Sequence, residues 1–304
     1  MTTATITLPE KAEMKKTREG FGRALVDLGE QDPRIVVLVG DLTESTMVSF
    51  FAERFPERFI QVGIAEQNMC GVAAGLAAMG KIPFFATYGA FASCRAADQI
   101  RVTVAYTNLN VKIAGAHGGI SVGPDGATHQ AMEEISIIRS IPNMSMIVPC
   151  DFWETYKATI AAARHRGPVY IRFGREDVPV VTAKETPFTF GKGEVFAEGK
   201  DLTLIACGVM VYEALRARDR RDRDRRGASG ERGPGRRGLR GRGADLPGAD
   251  GAGGGARPLR PVGQALRADG RIRPARQGHR RRRRPGARPQ SALKAGTQGQ
   301  GSAV

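Results

Sequence analysis

The sequence predicts an α/β fold over residues 15–177, a parallel sheet covered by helices on both faces. Three observations lead there. Apolar, β-branched runs bounded by Gly, Pro or polar residues recur along the chain. Stretches with helical spacing separate them. Residues with chemical potential stand just after the runs, where a parallel sheet gathers its ligands.

In order, Phe21, Ala24, Leu25 and Leu28 follow the helical period of about 3.6 residues and precede a strand at Ile35–Val39. A second strand, Phe59–Val62, leads into a helix marked by Met69, Val72, Ala73 and Leu76. After Pro83–Ala86 the period returns less strictly at Ala97, Ile100, Val104 and Thr107; Val111–Ala114, Met144–Val148 and Val169–Phe173 complete the strands. Asp41, Glu66, Tyr88, His117, Asp151 and Arg175 each follow a strand, so the chemistry is expected on one edge of the sheet. Residues 1–14 read as an N-terminal extension and 178–200 as a linker. Residues 201–215 read as the start of a second domain, with a strand at Leu202–Gly208 and a helix at Val211–Leu215.

Charge divides the chain. Arg216–Val304 holds 24 Arg and one Lys against six Asp and one Glu, a net of +18, whereas the residues before it carry −3. The basic balance therefore belongs to the tail and says nothing about partners of the folded part. The tail lacks Phe, Tyr, Trp, Met, Cys and Asn, and cannot bury enough apolar surface to offset backbone ordering, so 216–304 is expected to be disordered. Two readings stand: an Arg/Gly-rich arm for nucleic acid, strongest at Arg280–Arg284, or the product of a shifted reading frame. Composition favours the second, because Lys and aromatics are nearly absent and the break follows a promising domain start. Cys70, Cys94, Cys150 and Cys207 form no C-x-x-C pair and suggest buried thiols rather than zinc or disulfides. No apolar run spans a bilayer and Met1–Lys16 lacks a signal-peptide core, which makes a cytoplasmic protein the expectation.

Glu66, in Gly63-Ile64-Ala65-Glu66-Gln67-Asn68-Met69, stands where an apolar strand gives way to an Ala/Gly-rich helix. On its own it is either a carboxylate favoured by the helix N-terminus or a group poised for proton chemistry. Tyr88 and Phe91 share one side of a helix and are core aromatics or the wall of a pocket. Ala116–Gln130 is Gly-rich, carries His117, Asp125 and His129, and has no apolar periodicity, as expected of a long loop beside a site. Its H-x7-D-x3-H spacing matches no common metal motif, so no metal ligand is assigned in this chain.

The segments Gly63–Met69 and Ala116–Gln130 together resemble those of the pyrimidine-binding domain of transketolases, and the resemblance extends over Lys15–Leu215. It implies a thiamine diphosphate pyrimidine-binding domain followed by a truncated C-terminal domain. Glu66 would then hydrogen-bond the aminopyrimidine nitrogen and drive the ring to its imino form, which needs a carboxyl group able to share a proton near neutrality. The same resemblance has Tyr88 and Phe91 enclose the ring, with Cys94 where several relatives carry a third aromatic, and Asp41 face the thiazolium. It places His129 near the reacting carbons as the second catalytic group, His117 nearer the sugar phosphate, Asp125 on a substrate hydroxyl, and Arg18, Ser45 and Arg175 around the phosphate.

Thiamine diphosphate is anchored in this family through a divalent cation held by a Gly-Asp-Gly motif and a later Asn, whereas this chain has Gly40-Asp41-Leu42. The resemblance is therefore to the C-terminal subunit of a transketolase divided between two chains. It implies an N-terminal partner subunit that holds Mg2+ or another divalent cation, a two-plus-two assembly, and transfer of a two-carbon ketol unit from a ketose phosphate to an aldose phosphate. Deoxyxylulose phosphate synthase, the β subunit of a 2-oxo acid dehydrogenase, and an inactive scaffold with a nucleic-acid-binding tail are the alternatives. The first usually has His where Asn68 stands.

Overall fold

The computed structural model describes residues 2–3, 6–199 and 202–219, so the tail beyond 219 lies outside the described residues. A six-stranded, all-parallel sheet forms the centre. Its strands are β1 (Ile35–Val39), β2 (Phe59–Gln61), β3 (Ile82–Tyr88), β4 (Lys112–Ala116), β5 (Ser145–Ile147) and β6 (Val169–Arg172). Their spatial order is β2-β1-β3-β4-β6-β5. The six strands expected from the sequence for this domain are the six observed, with ends shifted by at most two residues.

Side-chain alternation in the strands builds two separate cores. Ile35, Val37 and Val39 of β1, Phe84 and Ala86 of β3, and Val169 and Ile171 of β6 face one way, against α1 (Thr17–Gln31). Val36, Leu38, Phe85, Ile113 and Tyr170 face the other way, against α3 (Glu66–Ala78) and the irregular helix that follows β3. Because both faces are covered, β1 and β3 are buried at every position, which is why these runs are apolar without alternation. Three helices were not separately legible: α2 (Ser49–Arg54), α4 (Glu134–Ser140) and α5 (Phe152–Arg164). The last lies on α1, where a Cβ at Gly20 would collide with the Phe152 carbonyl oxygen; glycine is what lets the two helices approach.

The helix after β3 departs from regular spacing. Phe91–Arg95 and Ile100–Ala105 are π-helical and flank one α-helical turn, Ala97–Gln99. The wider turns explain the imperfect period at Ala97, Ile100, Val104 and Thr107.

The segment read as a linker folds back on the domain. Asp177–Pro179 pairs antiparallel with Met14–Lys16, and Glu194–Val195 pairs with Thr2–Thr3. Cys150, Val211 and Leu215 form a small third cluster with Ile6, Leu8, Val181 and Phe196. Helix follows at 210–219, but the strand expected at Leu202–Gly208 does not form. Gly208 N–H donates to the Val148 carbonyl just beyond β5 at 3.1 Å, but among the described residues 202–208 joins no strand ladder, and Ile205 is left 94% exposed. Among the described residues no helix is long and apolar enough to cross a membrane.

Candidate active site

The carboxyl ends of β2, β3, β4 and β6 lead to a group of polar and aromatic side chains. Tyr88, the last residue of β3, stacks beside Phe91 with ring centroids 6.1 Å apart. His117, immediately after β4, lies 4.1 Å from the Tyr88 ring. His129 completes the aromatic set, 5.0 Å from Phe91 and 5.9 Å from Tyr88. Residues 88, 91, 117 and 129, drawn from two strand ends and a loop, thus form one surface.

The loop from His117 to Ala131 is fixed by its backbone. Gly118 donates to the Phe173 carbonyl at 3.0 Å, and Gly119 and Ala131 exchange hydrogen bonds at 2.9 and 3.3 Å. Beneath it lies a network that the motifs did not announce. Glu134 is 1% exposed, accepts from Tyr170 Oη at 3.1 Å, and pairs with Arg172. A Cβ at Gly118 would meet both Glu134 and Arg172, so the loop sits directly on this ion pair. Thr128 Oγ1 lies 2.9 Å from His129 Nδ1 and fixes that ring from its other side.

On the other flank two arginines meet, Arg175 lying 3.6 Å from the Glu176 carboxylate. Arg18, at the start of α1, donates to the Ser45 carbonyl at 2.9 Å; Arg175, beyond β6, donates to the Val122 carbonyl at 3.0 Å. Burial and then the charge of Arg175 push the Arg18 guanidinium below its ordinary range, against the opposing pull of Asp177 and Glu176. Burial, then Arg18, then Arg175 push His117 down to about 4, so its imidazole is neutral at pH 7. His117 Nδ1 and Arg18 Nε are buried without a hydrogen-bond partner. His117 also adopts a left-handed backbone, φ 55°, which strains a residue with a Cβ. An oxyanion between Arg18 and Arg175 would relieve their repulsion and offer the orphaned groups a partner.

Glu66, the first residue of α3, is 1% exposed and pairs through Oε2 with Arg95 Nη1 at 2.8 Å. The Arg95 guanidinium lies over the Phe91 ring, 4.4 Å from its centroid. Glu66 is thereby joined to the aromatic surface through a residue to which the motifs gave no role.

Not every expected residue joins the group. The structure brings together Glu66, Tyr88, Phe91, His117, His129, Arg18 and Arg175. Ser45 takes part through its backbone carbonyl rather than its hydroxyl. Asp125 is exposed and reaches His117 only through its charge. Asp41 is exposed, with φ 60° and its backbone N–H bonded to Gln61 Oε1 at 2.7 Å; its carboxylate makes no hydrogen bond to the group. Asp151, which also follows a strand, is structural. It caps α5 through Glu154 N–H at 2.9 Å and ties down Val181 and Thr182. Among the described residues no cluster of three or more His, Cys, Asp or Glu is arranged to hold a metal ion.

Comparison with known proteins places this geometry. Residues 13–181 match the pyrimidine-binding domain of transketolase. The chain is 49% identical over 205 residues to a putative transketolase C-terminal section of Methanocaldococcus jannaschii, covering 67% of this chain and 65% of that protein. It is 38% identical to one subunit of the apulose-4-phosphate transketolase of Phocaeicola vulgatus, covering 66% and 64%. It is also similar to the solved structure of a split-gene transketolase in an inactive β4 tetramer, at 48% identity and a TM-score of 0.64, over 69% of this chain and 68% of the other. The matched part spans about 65% of the curated relatives' length. A buried Glu at a helix start, an aromatic wall and a basic flank all lie within the matched segment, and the chain belongs to the transketolase family, carrying its pyrimidine-binding domain in the manner of the C-terminal section of a split transketolase.

Proposed function

We propose that the chain is one subunit of a two-chain transketolase that moves a two-carbon ketol unit between sugars, with thiamine diphosphate held between it and a companion chain. The supporting observation is the chain of contacts from Glu66 through Arg95, Phe91, His129 and Tyr88 to His117, on which the charges of Arg18 and Arg175 act. Thiamine diphosphate is the coenzyme the family implies, and it supplies a carbon nucleophile that accepts the ketol fragment.

The residues fit its aminopyrimidine half. Tyr88 and Phe91 supply aromatic surface suited to a flat heterocycle. Glu66, almost fully shielded from water, supplies a carboxyl oxygen for a ring nitrogen. Its role is to hold or share one proton at that nitrogen. His129, whose Nδ1 is engaged by Thr128, has Nε2 left to exchange a proton with substrate oxygen. Neutral His117 accepts or donates a hydrogen bond without adding charge, and Asp125 at the loop tip receives a sugar hydroxyl.

The diphosphate and its divalent cation are assigned to the companion chain, an N-terminal transketolase subunit, in a two-plus-two assembly within the cytoplasm. At the far end, Arg18 and Arg175 with Ser45 hold the terminal oxyanion of the sugar. A 6-deoxy-6-sulfo-D-fructose transketolase subunit from Clostridium sp., 44% identical, and the apulose-4-phosphate enzyme bear names of sugars with a sulfo group or a phosphate, and the same pair of guanidinium groups suits either.

The test is reconstitution with an N-terminal subunit of a split transketolase, Mg2+ and thiamine diphosphate. The mixture is expected to retain the coenzyme and exchange two-carbon units between a ketose phosphate and an aldose phosphate. Glu66→Ala should reduce turnover about a thousandfold or more while far-UV circular dichroism is unchanged. Near-normal turnover by that variant would remove Glu66 from the chemistry.

A further inference from the structure

Glu66 has a partner that none of the motifs announced. We propose that Arg95 is a positioning residue for Glu66: it fixes Oε2 so that Oε1 is presented to the pyrimidine nitrogen, an inference that rests on the coenzyme assignment above. Arg95 Nη1 donates to Oε2 at 2.8 Å, and Oε1 accepts no hydrogen bond from a described side chain. A buried carboxylate with one oxygen tethered has one orientation left to offer.

Arg95 is itself restrained. Its side chain is 46% exposed, yet its guanidinium carbon lies over the Phe91 ring, which in turn contacts His129. Arg95 stands four residues after Phe91, so the π-helical turn Phe91–Arg95 carries both members of the stack. The guanidinium carbon sits over the aromatic wall while Nη1 donates to Glu66; a lysine ammonium could supply the charge but not the oriented fork. The same contact couples Glu66 to the wall that would enclose the ring, so carboxyl and aromatic surfaces keep a fixed spacing.

A double-mutant cycle tests this with two readouts. In the full chain alone, Arg95→Met is expected to lower Tm by about 2–4 °C by stranding a buried carboxylate, and by less than about 1 °C in the Glu66→Ala background. In the reconstituted complex, Arg95→Met should weaken thiamine diphosphate binding about tenfold, and Arg95→Lys should recover Tm but not coenzyme affinity. Additive effects in the cycle would mean that Arg95 does not act through Glu66. Full recovery of affinity by Lys would reduce it to a counter-charge, and either result overturns the proposal. A wild-type complex that fails to bind the coenzyme sinks the functional reading itself, which is distinct from a wild-type complex that binds and an Arg95→Met complex that binds equally well.

Discussion

Lys112 and His117 bracket the same strand, both are buried, and the structure treats them in opposite ways. At the amino end of β4, Lys112 is 0% exposed and its ammonium donates to Asn110 Oδ1 at 2.7 Å and to the carbonyls of His165 and Gly167 at 2.8 and 2.7 Å. Every donor has an acceptor. At the carboxyl end, His117 is 1% exposed, its Nδ1 has no partner, and its backbone is strained. The protein itself replaces water around Lys112, whereas it leaves His117 for something else to satisfy. A buried ionisable group therefore does not mark a site by itself; His117 does so because its unsatisfied nitrogen stands beside Tyr88 and within reach of the Arg18 and Arg175 charges.

The contrast breaks most readily at the basic flank. In the reconstituted enzyme Arg175→Ala should raise KM for the sugar phosphate about 100-fold, about 2.8 kcal/mol, with kcat within about threefold, because it removes binding of a group remote from the reacting carbons. Equal loss in kcat would place Arg175 at the chemistry instead. At the closed end, Lys112→Met should leave catalysis intact and cost about 2 kcal/mol in urea unfolding, since two carbonyls and the Asn110 amide oxygen lose their donor. Burial pushes Lys112 down to about 7, so its share of stability should grow as pH rises from about 7 toward the ordinary lysine value. A flat stability profile over that range in wild type, set against Lys112→Met, would contradict this.

How much of this was legible follows from range. The strands could be read because burial on both sheet faces imposes continuous apolar runs on β1 and β3, a signal local to each segment. The aromatic and histidine positions came from motifs that survive in short stretches of sequence. Arg95 was invisible because its meaning depends on Glu66, 29 residues away, although its spacing from Phe91 was a usable hint. The Glu134–Arg172–Tyr170 network was hidden for the same reason, being assembled from α4 and β6. Asp151 misled in the other direction, since a polar residue after a strand is equally what a helix cap requires. The segment Leu202–Gly208 has strand composition without a strand, since β composition does not by itself form a ladder.

The open end can be followed directly through His117. Its pKa lies near 4 in the free chain, against an ordinary value of 6.5, so the stability associated with its neutral form is complete above about 6.5 and is lost as pH falls toward 4. NMR titration of the ring should show that low midpoint, and inorganic phosphate or a sugar phosphate should move it upward by neutralising Arg18 and Arg175. An unmoved midpoint with bound sugar phosphate would place the anion elsewhere.

The smallest effect is expected at Ser45, and it separates motif from geometry. A hydroxyl in a phosphate clamp would make Ser45→Ala costly, whereas Arg18 is held by the Ser45 carbonyl, which the substitution leaves in place. Without sugar phosphate, Ser45→Ala should therefore alter stability by less than about 0.5 kcal/mol, as for substitutions that disturb no buried partner. A rise in KM would then isolate the hydroxyl's direct contact with substrate. If KM is also unchanged, the oxyanion rests on the two guanidinium groups, and Ser45 serves only to aim one of them.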